Sequence, residues 1–217
     1  MKILFCKIAH MRCYKGIYDN DKPYNGGDYV QKTGDAHEKY NFDPVFIDDR
    51  KEEVCLGFFE TKSTNGTEIN QLHIEKIKGC ELLKKADKVD DVLVVWCATS
   101  DTNECVVVGW YKHATVYRYY LECLFKGETD ENDYIQSYNI IADYKNCVLL
   151  PDDGTRRRWT VPSSRKNAYG FGQSLIWYAR EKEAEDYLKS LVEKINSYNG
   201  KNWIDKYPDE LQDIITI

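Results

Sequence analysis

The chain has 217 residues, of which 42% are hydrophobic and 30% charged, and a formal net charge of −6. That composition excludes a disordered chain, and no apolar run reaches the roughly 20 residues that a membrane helix needs. An acidic total also argues against a protein that coats nucleic acid indiscriminately, so a nucleic-acid partner would have to meet a localised surface.

The opening Met1–Ala9 has one charge before only four apolar residues, too few for a signal peptide, and reads as a first strand over Lys2–Ala9. Met11–Tyr40, which holds Asn25-Gly26-Gly27, is short of aliphatic residues and reads as a long irregular segment of the kind that often carries function. A strand follows at Val54–Thr61. Ile69, Leu72, Ile77, Cys80 and Leu83 then recur at a spacing that predicts an amphipathic helix from about Glu68 to Ala86. Asp91–Ala98 and Cys105–Tyr111 are nearly continuous in apolar residues, so they are expected to be strands covered on both faces. The polar link Thr99–Glu104 makes them neighbours.

Thr115–Leu121, Tyr138–Ala142 and Cys147–Leu150 complete the strands, and Asp143-Tyr144-Lys145-Asn146 has the length and polarity of a hairpin turn. A second helix is predicted over Glu181–Tyr198, opened by acids, closed by Lys189 and Lys194 and stopped at Asn199-Gly200. Pro208–Ile217 suits a short docked helix. No linker or internal repeat divides the chain, so one α+β domain over 1–217 is expected: a small mixed β-barrel or strongly curved sheet with flanking helices.

None of the eight cysteines forms a Cys-x-x-Cys pair, and most lie in apolar, strand-like runs. Reduced, buried thiols and a cytoplasmic location are therefore expected. Cys6, His10 and Cys13 match no common zinc spacing, and neither metal nor cofactor is expected.

Residues 154–180 carry six basic side chains, no acidic one and five aromatics, which leaves 24 basic against 36 acidic residues in the rest of the chain. Such a concentration suits a negative partner, and phosphate is the commonest. Arg156, Arg157, Arg158, Arg165 and Lys166 are the expected phosphate contacts, although the same aromatics would also serve as core. A second dense cluster runs from Val108 to Tyr120. Within it and around it, Trp96, Trp110, Lys112, His113, Tyr117, Arg118, Trp159 and Trp177 are the candidates to hold a base by stacking and to border its pocket.

A Gly-aromatic strand after a buried strand, with a late basic-aromatic loop, resembles the PUA-like superfamily over roughly residues 90–180. Its EVE, YTH and ASCH branches include readers of modified bases in DNA or RNA. That resemblance implies a base, modified or not, flipped out of its strand into an aromatic pocket, at a cost of a few kcal/mol that stacking and edge hydrogen bonds offset. No family motif transfers residue by residue.

A different pattern, Asp49 followed by Glu60-Thr61-Lys62, resembles the PD-(D/E)xK nucleases. It implies a magnesium site made by Asp49 and Glu60, with Lys62 activating water. A third reading is a protein–protein or small-molecule binder anchored by Trp and Arg. A catalytic function supplied by a partner chain also fits the first reading.

Overall fold

The computed structural model describes residues 1–48, 50–61, 70–127 and 133–211. The elements in chain order are β1 (Ile3–Ile8), α1 (Asp28–Thr33), β2 (Pro44–Val45), β3 (Val54–Gly57), β4 (Lys88–Thr99), β5 (Cys105–Phe125), β6 (Tyr134–Asp143), β7 (Cys147–Leu149), β8 (Ile176–Trp177) and α2 (Glu185–Asn196). Together they make a mixed α+β fold. The sheet runs β2-β3-β6-β5-β4-β1-β8, with β7 also paired to β5. β1 lies parallel to β4, and the other pairs are antiparallel. The order is an open path ending at β2 and β8, so of the two expected forms, barrel or curved sheet, the closed barrel is excluded.

Period-two alternation sorts the central strands onto two cores. Leu4, Cys6, Val92, Val94, Trp96 and Tyr111 face one side. Ile3, Phe5, Leu93, Val95, Cys97 and Trp110 face the other. Burial of both sets agrees with the unbroken apolar runs in β4 and β5. The second face is covered by α2, through Leu191 and Ile195, and by Trp159, Val161, Phe171 and Trp177 from the basic segment. The first face is covered by irregular chain that contributes Met11, Tyr14, Phe42, Phe59, Leu72, Ile74, Ile77 and Cys80.

Two local expectations are corrected. The segment expected as a helix to Ala86 is, over its described part, a succession of tight turns. Backbone N–H groups of Ile77, Cys80, Leu83 and Ala86 each donate to the carbonyl three residues back. Those apolar residues therefore point inward at a period of three, and Gly79 at φ 85° interrupts any α-helical course. The Asp143–Asn146 link is also not a hairpin turn. Tyr144–Asn146 form a single 3-10 turn, after which β7 continues along the edge of β5 that β6 occupied. Thr99–Glu104 does close the β4–β5 hairpin, with Ser100 N–H donating to the Glu104 carbonyl at 2.8 Å.

The strand expected to Thr61 ends at Gly57. The second helix is present, as a 3-10 turn over Lys182–Ala184 leading into α2. Of the expected tail helix, Pro208–Glu210 form one 3-10 turn and 212–217 lie outside the described residues. All eight cysteines are free and six are buried. Burial pushes the thiols of Cys6, Cys97 and Cys147 well up, which keeps them protonated. Among the described residues, no helix is long and apolar enough to cross a membrane.

Gly109 marks where β7 and the irregular layer press onto β5. A Cβ there would lie 2.6 Å from Phe42 Cζ and closer still to the Val148 carbonyl oxygen. The close approach at this glycine is made by the protein's own backbone, the Val148 carbonyl. Gly109→Ala is expected to cost about 3 kcal/mol or more, because neither a strand carbonyl nor a buried ring can move aside. Chemical denaturation of the variant against the parent measures it.

Candidate functional site

The basic segment divides its residues between inside and outside. Trp159 packs beside Trp110 with ring centroids 5.2 Å apart, under the Lys194 ammonium at 3.9 Å. Trp177 lies 4.4 Å from the Phe5 ring and donates its indole N–H to Glu181 at 2.8 Å. All three tryptophans are at most 5% exposed. Trp96 is fully buried on the opposite face, against Tyr111. Tyr117 belongs to a separate cluster, its ring meeting Tyr138 edge-on. These rings do not line one open pocket: strand alternation sends Trp96 and Trp110 to different cores, and helix α2 and the basic segment close over the second.

Two of the predicted basic contacts are structural. Arg156 is 2% exposed, and its guanidinium donates to the carbonyls of Leu150 (3.0 Å), Met11 (2.6 Å) and Arg12 (2.7 Å). Arg118, 6% exposed, donates to the Ala86 and Leu83 carbonyls (2.8 and 2.9 Å) and to Glu75 at 2.8 Å. Each guanidinium supplies donors to carbonyls that no helix or sheet satisfies. Neither is presented to a phosphate or a base. Arg157, Arg158, Arg165 and Lys166 are exposed, as phosphate contacts would have to be.

Of the remaining base candidates, Lys112 and His113 come together at a pair of β-bulges. Between Val89↔Val116 and Val92↔Ala114, β4 carries one residue too many, at Asp90/Asp91. Between Val92↔Ala114 and Val94↔Tyr111, β5 carries the extra residue, at Lys112/His113. The two bulges flank one residue pair and cancel in register. Asp91 and His113 both adopt left-handed backbone, φ 60° and 52°, which L side chains rarely accept. Their side chains meet across the strands, His113 Nδ1 to Asp91 Oδ1 at 2.8 Å, and this bond holds the Asp91 carboxyl below its usual range. Bulges re-aim side chains, and here they aim both residues at a groove of about 530 Å³.

Lys2, Lys78 and Lys112 reach that groove from three separate stretches of chain, while Leu93 and Val192 form its apolar part. Nearby, Lys2 donates to the Asp90 carbonyl at 2.8 Å, and Lys78 shares Glu185 at 3.4 Å. α2 separates the groove from the exposed arginines. Val192 and Asn196 lie on one flank of the helix, and on the other Lys194 donates to the Arg158 carbonyl at 2.6 Å.

Sequence reasoning singled out Lys112 and His113 but missed Lys2, Lys78 and Asp91. Only the bulges hint at the last, as the polar pair Asp90-Asp91 interrupting an apolar strand. Of the nuclease residues, Asp49 and Lys62 lie outside the described residues, and Glu60 is exposed beyond the end of β3.

Beyond the far end of the β4–β5 hairpin, His10 is buried beside Arg156. Desolvation, then the Arg156 charge, lowers its pKa from 6.5 to about 4, against the weaker opposite pull of Asp152 and Asp101. The unfolded chain therefore takes up a proton near pH 6.5 that the folded chain refuses until about pH 4. Stability is full above that window and falls through it as pH drops, by about 2 kcal/mol at pH 5 for this group alone. Urea denaturation of the parent and of His10→Phe at pH 7 and pH 5 should show this slope only in the parent. In the same assay Arg156→Ala is expected to cost about 3 kcal/mol, since three carbonyls lose their donor, and Arg157→Ala less than about 0.5 kcal/mol. No family model, no curated protein and no solved structure matches the chain.

Proposed function

We propose that the protein binds a nucleic acid, and that phosphates are held in the twin-bulge groove and along the exposed basic turn. One observation carries the reading: three lysines converge on a groove in which, among the described residues, Asp91 is the one lining carboxylate and is already engaged by His113. In a chain of net charge −6 this is a local reversal of sign, and a strained pair of bulges is maintained to produce it. Arg157, Arg158, Arg165 and Lys166 extend the positive surface past α2. Leu93 and Val192 offer an apolar floor to sugar or base, and Lys112 and His113 supply polar contacts to a base edge. The PUA-like resemblance supports the class of ligand. The aromatic cage it implied is replaced by this groove, because the tryptophans are core.

Anisotropy titrations with labelled single-stranded DNA and RNA across a salt series test the reading. Log affinity should fall linearly with log salt, and Lys78→Ala/Lys112→Ala should bind at least about tenfold more weakly with a slope smaller by about 1.4, the share of two single-strand phosphates. Salt-independent binding, or an unchanged double variant, overturns it.

A further inference from the structure

Past the opposite end of the β4–β5 hairpin from the groove lies a second cavity, of about 180 Å³. His10, Tyr24, Asp101, Asp152, Arg156 and Arg157 line it. The His10 side chain is 3% exposed, and its Nδ1 has no hydrogen-bond partner. Its Nε2 stands 3.8 Å from Asp152, beyond hydrogen-bonding length. Nδ1 is closed off from the cavity, so Nε2, which stands toward the lining Asp152 without a hydrogen bond, is the imidazole nitrogen that a ligand would meet. The Tyr24 ring lies against His10, 4.6 Å between centroids, and the two backbones pair at 2.8 and 3.1 Å, so this wall is built before any ligand arrives. Arg157 and Asp101 face each other at 3.4 Å across an exposed edge, an ion pair weak enough to exchange for a ligand.

The lining decides the ligand's chemistry. Two carboxylates and two guanidinium groups balance, so neither a phosphate nor a simple cation is favoured. Among the described residues no group of three His, Cys, Asp or Glu side chains can hold a metal ion. The walls offer an aromatic face, a carboxylate acceptor, guanidinium donors and one unsatisfied nitrogen. We infer that the cavity binds a neutral, planar heterocycle with both donor and acceptor edges, the chemistry of a nucleobase, stacked on Tyr24 and hydrogen-bonded to His10 and the Arg157–Asp101 pair. The site goes beyond the phosphate groove and does not depend on it.

Two-dimensional NMR of the full chain, following the His10 imidazole and the Tyr24 amide, is the test. Titration is with adenosine, guanosine, cytidine, uridine and inorganic phosphate, and then with short single-stranded oligonucleotides to separate a free nucleoside from a base within a strand. At least one nucleoside should shift both resonances saturably, and phosphate should shift neither. His10→Phe should weaken that nucleoside at least tenfold, whereas Lys78→Ala/Lys112→Ala should leave it unchanged. Should His10→Phe fail to fold, Tyr24→Leu, at a half-exposed ring, carries the same expectation. No shift with any nucleoside, an equal shift with phosphate, or undiminished binding by the substituted protein overturns the inference. An oligonucleotide that binds through the lysines without moving His10 leaves the groove in place and removes this cavity as its base site.

Discussion

One face of the sheet is roofed by chain that is neither helix nor strand, and its backbone carbonyls and N–H groups must find partners elsewhere. Side chains provide them. Arg156 binds the carbonyls at Met11 and Arg12, and Arg118 those at Leu83 and Ala86. Asn41 exchanges two bonds with Phe58, and Asn139 exchanges two with Phe59, each imitating a strand partner. Asp21 accepts from the N–H groups of Arg12 and Cys13, and Asn202 bridges Cys147 and Leu149. Without these polar stitches, Met11, Tyr14, Ile74 and Ile77 could not be held over the sheet, and the first core would open to water. The chain therefore uses buried polar side chains, charged and neutral, where most domains use a helix.

The same requirement explains why basic and aromatic residues are a poor guide to ligand contact in this protein. An arginine that satisfies three carbonyls is as necessary as one that meets phosphate, and the sequence around it looks the same. Arg156, Arg157 and Arg158 are adjacent, yet the first is interior and the next two are exposed. One 3-10 turn separates their directions. The tryptophans obey a simpler rule: a large ring on a strand roofed on both faces becomes core.

The proposed binding groove lies where the regular pattern breaks. β5 gains a residue at Lys112/His113 and β4 gains one at Asp90/Asp91, so alternation is suspended for one short stretch and then restored. Inside that stretch two strained residues face a groove instead of a core. The His10 cavity has a related origin, lying where the irregular roof meets the β4–β5 turn. Both sites are by-products of places where the backbone leaves its ladder.

Much of the fold was legible in the sequence. The apolar runs of β1, β4 and β5, the tight polar link between the latter two and the amphipathic course of α2 follow from local periodicity, which depends only on neighbours along the chain. The roofing segment differs from its expected helix because Ile69, Leu72, Ile77, Cys80 and Leu83 fit a helix by spacing, while Gly79 and the demands of the sheet face select turns of period three. Which of Arg156 and Arg157 is buried, where Trp96 and Trp110 point, and the meeting of Asp91 with His113 were decided only by tertiary structure. Each depends on which distant groups need a donor, a cover or a register correction, and no local pattern records those needs.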